Sequence, residues 1–159
     1  PFFAAVPSTD PLAKRSFITT QELKNQNMLL LGAGHCFRDQ VLEMCPEFVR
    51  YASHSADGYQ KSFEGSSLET IKHMVAAGMG VTMVPRLAMP TNLVPEKATA
   101  ADIENAHVRY LPIKGENGEK EPARRVVLVW RRSFTRYEAI AALRNAIYAC
   151  DLSGVHKLS

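Results

Sequence analysis

The chain has 159 residues, of which 46% are hydrophobic and 22% charged, a composition that is ordinary for a folded globular protein and excludes extensive disorder. Its net charge of +3 is too small to indicate nucleic-acid binding by this chain. No apolar run approaches the roughly 20 residues of a membrane-spanning helix, and the first residues lack the basic start of a signal peptide, so we expect a cytoplasmic protein. Three cysteines, an odd number without a repeating spacing, argue against a secreted disulfide framework.

Apolar periodicity in the first half of the chain predicts alternating strands and helices. In chain order these are a buried strand at residues 2–6, a short helix at 19–23, a buried strand at 27–31 and a helix at 36–45. Thr19 or Thr20 can cap the first helix, and Pro46 ends the second. Residues 47–65 lack periodicity and predict a loop with at most one short strand.

The second half continues this alternation. In chain order we predict a helix at residues 66–78, a buried strand at 81–84, a short helix at 85–89, a loop to 106 with a helical turn near 101–104, a strand at 108–113, a polar linker at 114–119, a strand at 126–130 and a final helix. Ser66 and Glu69 have the spacing of a capping box, and Gly78 can stop the helix that they begin. The alternation predicts an α/β fold with mostly parallel pairing.

A cysteine stands where the apolar run at 27–31 gives way to a helix. Two glycines break the run, and Cys36 follows at the predicted helix N-terminus. Unpaired backbone N–H groups and the positive end of the helix dipole favour a thiolate there, and Arg38 and a protonated His35 would add positive charge. Cys36 is therefore a candidate reactive thiol, although a cysteine after a buried strand is about as often a small core residue.

Cys45 lies nine residues beyond Cys36, at the other end of the same predicted helix. Nine helical residues advance about 13 Å and turn about 900°, whereas a disulfide needs Cα atoms about 5.5 Å apart. The two thiols therefore cannot be joined while the helix is intact. Taken alone, Cys45 beside Val41, Leu42 and Met44 is more typical of a core residue than of a functional one.

The segment Gly-His-Cys-Phe-Arg-Asp-Gln at residues 34–40, with Cys45 nine residues after Cys36, resembles the redox centre of the OxyR family, the peroxide-sensing LysR-type transcriptional regulators. Residues 66–85 resemble the segment that follows in the same effector-binding domain. The first motif is specific to the peroxide sensors, while the second is shared widely among LysR-type regulators. Together the two segments indicate a resemblance over most of the chain.

This resemblance implies a LysR-type effector-binding domain, a periplasmic-binding-protein-like fold of two Rossmann-like subdomains with mostly parallel sheets. Residues 1–120 would form the second effector subdomain, which carries the redox cysteines. Residues 121–159 would supply the C-terminal strand and helix of the first subdomain. By this resemblance we expect the DNA-binding winged helix-turn-helix to be absent from this chain, and from the apolar start at Pro1 we expect a domain truncated on its N-terminal side.

The resemblance also implies a function. Hydrogen peroxide would oxidise Cys36, and Cys45 would capture the product as a reversible disulfide. The disulfide would change the conformation of a homodimer or tetramer, and this change would switch transcription of antioxidant genes. The implied partners are hydrogen peroxide, cellular thiol reductants, promoter DNA bound through the missing domain and RNA polymerase, with no membrane among them.

Three further residues enter through the same resemblance. His35 and Asp39 match family residues that help to hold peroxide and water at the thiol. Arg124 is the best match to an arginine that faces this pocket, with the neighbouring Arg125 as the alternative. Cys150 matches nothing in the motif, and we expect it to be structural or incidental.

Two rival functions stay open at this point, a thiol peroxidase that turns over with an external reductant and a metabolite-binding effector domain with incidental cysteines. Two kinds of site are disfavoured. Phe37 stands where a dinucleotide-binding loop needs its third glycine, and His35, Cys36 and Cys45 lack the closely paired spacing of a zinc site. We therefore expect no cofactor and no metal, and the resemblance implies a regulator rather than an enzyme.

Overall fold

A computed structural model describes residues 1–45, 62–115, 121–152 and 154–158. The strands of this part are β1 (Phe2–Pro7), β2 (Ile18–Thr19), β3 (Met28–Leu31), β4 (Ser62–Gly65), β5 (Thr82–Pro85) and β6 (Val108–Lys114). Its α-helices are α1 (Thr20–Lys24), α2 (Cys36–Met44), α3 (Leu68–Ala76), α4 (Ala100–Asn105) and α5 (Tyr137–Ala149). Short 3-10 helices cover Pro11–Lys14, Arg86–Ala88 and Thr91–Leu93.

Four strands form a sheet in the order β2-β6-β1-β5, and β3 pairs with β4. A parallel bridge between Met28 and Val81, the residue before β5, joins the two ladders, with Leu29 N donating to Val81 O at 2.8 Å. The pairs β2-β6 and β3-β4 are parallel, whereas β1 runs antiparallel to both of its neighbours. The predicted α/β fold is confirmed, but the predicted mostly parallel pairing does not hold for β1, the central strand of the described four-stranded sheet. A continuous apolar run such as that of β1 is typical of parallel strands covered on both faces, so its antiparallel direction could not be predicted from the sequence.

The core is built around β1, whose six residues are all buried. Strands β3 and β5 are buried throughout as well. Helix α3 contributes Ile71 and Val75 to this core, and α2 contributes Phe37 and Val41. One face of α2 is therefore fixed by packing, while the other face is left to solvent.

The cap predicted for the first helix is confirmed at Thr19. Its hydroxyl accepts a hydrogen bond from Glu22 N at 3.2 Å, and Glu22 Oε2 accepts one from Thr19 N at 2.9 Å. This capping box holds the pKa of Glu22 below its ordinary value, mainly through the backbone N–H of Thr19.

The cap predicted for α3 is wrong by one residue. Ser67, not Ser66, is the N-cap, and its hydroxyl accepts from Thr70 N at 3.1 Å. Ser66 and Ser67 have the same capping chemistry, so the choice of N-cap depends on which helix start buries the apolar face of α3. The stop predicted at Gly78 is confirmed: its φ is 77°, and Gly78 N donates to Val75 O at 2.9 Å.

Most remaining elements lie within one or two residues of their predicted positions. The strand predicted at 81–84 is β5, the one predicted at 108–113 is β6, and the helical turn near 101–104 lies in α4. The short helix after Pro85 is a 3-10 helix. Within the predicted loop at 47–65, residues 62–65 form β4 and the rest lies outside the described residues, as does most of the linker at 114–119.

The strand predicted at residues 126–130 is wrong. These residues form no β-pairing with the described part of the chain, and their valines are exposed, by 64% at Val127 and 79% at Val129. A strand exists only through its pairing, and both edges of β1 are already occupied by β5 and β6. The final helix is confirmed as α5, with Tyr137, Leu143 and Ile147 of its predicted apolar face also exposed.

None of the described helices has the length and apolar character that crossing a bilayer requires.

We predict that Ser67→Ala lowers the free energy of unfolding by about 1 kcal/mol, because the N-cap hydroxyl satisfies a backbone N–H that would otherwise lack a partner. Ser66→Ala is the matched control, since Ser66 is exposed and outside the helix, and it should change stability little. Urea unfolding of both variants makes the comparison. A larger loss of stability in Ser66→Ala would show that Ser66, and not Ser67, caps the helix.

We also predict that this chain binds a hydrophobic dye and self-associates, because the valines at 126–129 and the apolar face of α5 are exposed together. Replacing Val127 and Val129 with Ser should reduce dye fluorescence without lowering the melting temperature. Val84→Ser is the control, since Val84 is fully buried and its replacement should lower the melting temperature. A dye-silent monomer by light scattering would contradict the prediction.

Candidate functional site around Cys36

The site is built where β3 passes into α2. Gly34 has a φ of 93°, a left-handed conformation that glycine adopts without strain, and it turns the chain from the end of the strand into the helix. Cys36 is the first residue of α2, and its side chain is exposed. The helix N-terminus therefore presents this thiol to solvent, where its dipole and open N–H groups favour an anion.

His35 occupies the N-cap position of α2, but its side chain makes no capping hydrogen bond. Capping therefore does not account for this histidine. Its side chain is exposed beside Cys36, and Asp39 lies in the first turn of the same helix, also exposed. The two residues predicted to hold peroxide and water thus flank the thiol along the chain.

Arg38 ties the first turn of α2 to the strand before it. Its Nε donates a hydrogen bond to the carbonyl oxygen of Leu31 at 3.1 Å, and its backbone N donates to His35 O at 2.9 Å. Leu31 is the last residue of β3. The side chain predicted only to add positive charge therefore also fixes the turn that carries Cys36.

Cys45 lies at the opposite end of α2 and is fully buried. It is the C-cap residue, and its backbone N donates to Val41 O at 3.0 Å. None of the three cysteines forms a disulfide, and the nine positions from Cys36 to Cys45 correspond to about 13 Å along a helix. The expectation that an intact helix keeps these thiols apart agrees with this arrangement.

Arg124 lies next to the first turn of α2, although it is 88 positions beyond Cys36 in the chain. Its guanidinium carbon lies 5.7 Å from the centroid of the Phe37 ring, and that ring packs on Phe2 at 5.4 Å between centroids. The backbone before it is held by a hydrogen bond from Phe2 N to Pro122 O at 2.8 Å. Of the two predicted arginines, Arg124 is the one with this contact to α2.

Gln40 was missed by the sequence analysis. It lies one helical turn after Cys36, on the same side of α2, and its Oε1 is buried without a hydrogen-bond partner within the described part of the chain. A buried acceptor without a partner costs about 1–3 kcal/mol, so it is a place where a donor molecule would bind favourably. The i, i+4 spacing from a candidate reactive cysteine was the available signal.

Metal ligands do not gather in the described residues, which contain no group of three or more His, Cys, Asp or Glu side chains placed to hold an ion. Cys150 is the C-cap residue of α5 and is exposed. The chemistry available at Cys36 is therefore that of a thiol with a helix N-terminus, an imidazole, a carboxylate and two arginines along or beside the first turn.

Comparison with known proteins decides the family. The model of the LysR substrate binding domain matches residues 1–149. The chain belongs to this family. The DNA-binding transcriptional dual regulator OxyR of Escherichia coli K12 is 35% identical over 144 residues, which cover 89% of this chain and 40% of that protein. A hydrogen peroxide-inducible genes activator of Haemophilus influenzae is 34% identical over 141 residues.

Solved structures of OxyR resemble this LysR-type domain in fold. A reduced form of OxyR from N. meningitidis matches with a TM-score of 0.78 and 32% identity, covering 100% of this chain and 66% of that one. The reduced OxyR regulatory domain from Pseudomonas aeruginosa matches with a TM-score of 0.66 and 35% identity, covering 94% of this chain and 62% of that one. The chain thus spans two-fifths of the curated relative from E. coli and about two-thirds of the solved chains.

We predict that brief peroxide exposure oxidises Cys36 about fivefold faster than Cys150, although both thiols are exposed. Cys36 lies at the N-terminus of a helix, where the dipole stabilises a thiolate, and Cys150 lies at the C-terminus of another, where the dipole destabilises it. Each effect is worth roughly 0.5 kcal/mol. Mass spectrometry of the cysteine peptides measures the order of oxidation. If Cys150 or the buried Cys45 is oxidised before Cys36, then Cys36 is not the peroxide-reactive thiol.

Proposed function

We propose that this chain is the hydrogen-peroxide-sensing regulatory domain of a LysR-type transcriptional regulator. The observation that carries the proposal is the placement of an exposed Cys36 at the start of α2 and a buried Cys45 at its end. The similarity to OxyR proteins, described as peroxide-inducible gene activators, supports it. The protein would act in the cytoplasm as a homodimer or tetramer.

The first chemical step is oxidation of Cys36. Its thiolate attacks one oxygen of hydrogen peroxide, so that an S–O bond forms, the O–O bond breaks and hydroxide leaves, to be protonated to water. His35 and Asp39 would orient the peroxide, and the positive charge of Arg124 would offset the charge on the leaving oxygen. The buried Oε1 of Gln40 would accept a hydrogen bond from peroxide or from an ordered water.

The second step captures the sulfenic acid. The sulfur of Cys45 attacks the sulfur of Cys36, an S–S bond forms, the S–O bond breaks and water leaves, with the Cys45 proton taken up by the departing oxygen. Cellular thiol reductants would reverse this bond by thiol–disulfide exchange. The cycle then restores both thiols without a cofactor.

Capture requires α2 to open, because a disulfide cannot span the about 13 Å between its ends. A helix of nine residues is marginal by itself, so burial of its apolar side chains is the main opposition. Phe37, Val41 and Cys45 are the buried ones, while Leu42 and Met44 are only partly buried. Exposing a fully buried large side chain costs about 1.5–3 kcal/mol, so opening the helix costs a few kcal/mol. A disulfide favoured over cellular thiols by about 100 mV in reduction potential would offset this cost.

The output would pass through subunit contacts to DNA. We propose that residues 1–120 form the subdomain that carries the cysteines and that residues 121–159 belong to the other effector subdomain. The exposed valines at 126–129 and the exposed face of α5 support this division. A winged helix-turn-helix outside this chain would bind promoter DNA, contact with RNA polymerase would follow, and transcription of antioxidant genes would change.

The proposal predicts that one equivalent of peroxide yields a disulfide between the Cys36 and Cys45 peptides. Replacing Cys45 with Ser should leave sulfenic acid formation at Cys36 intact and abolish the disulfide, because only the resolving thiol is lost. Cys150→Ser is the matched control and should change neither step. Mass spectrometry with a dimedone probe distinguishes the products.

Peroxide consumption in the presence of excess thiol reductant separates this proposal from its enzymatic rival. A sensor domain should consume peroxide slowly after the first equivalent. Sustained turnover at an enzyme's rate would contradict a regulator, and an unreactive Cys36 would leave metabolite binding as the function of the domain.

A further inference from the structure

The ring of Phe37 contacts two parts of the chain that are far apart in sequence. It packs against Phe2, with 5.4 Å between the ring centroids and an angle of 57° between the ring planes. The Arg124 guanidinium carbon lies over the same ring, 5.7 Å from its centroid. Phe37 is 8% exposed and Phe2 is 2% exposed, so the ring is held in one orientation by the core.

The Phe37 ring is a contact that the described part of the chain offers to Arg124. Its side chain is exposed, and within the described residues it forms no hydrogen bond or ion pair. An exposed arginine without a partner samples many rotamers, whereas a guanidinium is attracted to the negative face of an aromatic ring. The hydrogen bond from Phe2 N to Pro122 O places the backbone nearby, and the ring then selects the side-chain position.

We propose that Phe37 is a positioning residue that holds the Arg124 guanidinium beside the first turn of α2, the turn that begins at Cys36. The inference rests on the proposed function, because it concerns the charge offered to the Cys36 thiolate and to the incoming peroxide. It gives a role to the residue that, in the sequence, serves only to exclude a dinucleotide-binding loop. Since Phe37 belongs to α2, opening of that helix would also release Arg124.

The test measures positive charge at Cys36 through the rates of two alkylating agents. Iodoacetate is an anion and iodoacetamide is neutral, so the ratio of their rates reports the local charge and cancels changes in thiol accessibility. Mass spectrometry reads the rates at Cys36, and Cys150 in the same molecule serves as an internal control. The variants are Phe37→Leu, Phe37→Tyr, Arg124→Gln, the Phe37→Leu/Arg124→Gln double variant and Val41→Ala, all in the full chain.

Phe37→Leu and Arg124→Gln should each lower the rate ratio at Cys36 about threefold, the order expected when one unit charge near the thiol is lost in a water-like dielectric. The double variant should show no further loss, because both changes remove the same charge. Phe37→Tyr keeps the ring and should keep the ratio. Val41→Ala removes buried volume from the same helix without touching Arg124, so it should lower stability and leave the ratio unchanged.

Four results would overturn the inference. These are an unchanged ratio in Phe37→Leu, an unchanged ratio in Arg124→Gln, losses that multiply in the double variant, and an equal loss in Val41→Ala. A loss of the ratio in Phe37→Tyr, with its stability intact, would count against the ring as well. Alkylation involves no peroxide, so a wild-type Cys36 that ignores peroxide but shows the expected ratios would refute the proposed function and leave the positioning role standing.

Discussion

The physical constraint on which the rest of this structure depends is the length of α2. A nine-residue helix holds an exposed thiol at its first residue and a buried thiol just past its last, about 13 Å apart. While it is intact, Cys36 can react with a small oxidant in solvent but cannot reach Cys45. Oxidation of Cys36 could therefore lead to a disulfide with Cys45 only by rebuilding the segment, and under the proposed function the helix would be a two-state element.

Both ends of α2 are attached to the core in ways that bear on this transition. Arg38 joins its first turn to the last carbonyl of β3, and Phe37 packs on Phe2 of β1. Cys45 and Val41 bury its far end. Under the proposed function, opening the helix would break its packing on Phe2 and its hydrogen bond to β3, so a local redox step would alter the surface around α2.

The parts of this fold that are determined locally could be predicted from the sequence. The cap at Thr19, the stop at Gly78 and the placement of Cys36 at a helix N-terminus follow from side chains within a few residues of one another. The prediction of a strand at 126–130 failed because strand pairing depends on residues that are distant in sequence. The Phe37–Arg124 contact could not be predicted for the same reason, since it joins positions 87 apart. Gln40 was overlooked because burial of its acceptor oxygen is a tertiary property.

The most direct test of the central claim is hydrogen exchange at the backbone amides of residues 36–45, compared between the reduced chain and the chain with a confirmed Cys36–Cys45 disulfide. The amides of the second half of the helix, including the Cys45 N–H bonded to Val41 O, should be protected when reduced and lose that protection when oxidised. Exchange in β1, which is buried in the middle of the sheet, should change little and serves as the internal reference. Unchanged protection across residues 36–45 after the disulfide has formed would contradict the account.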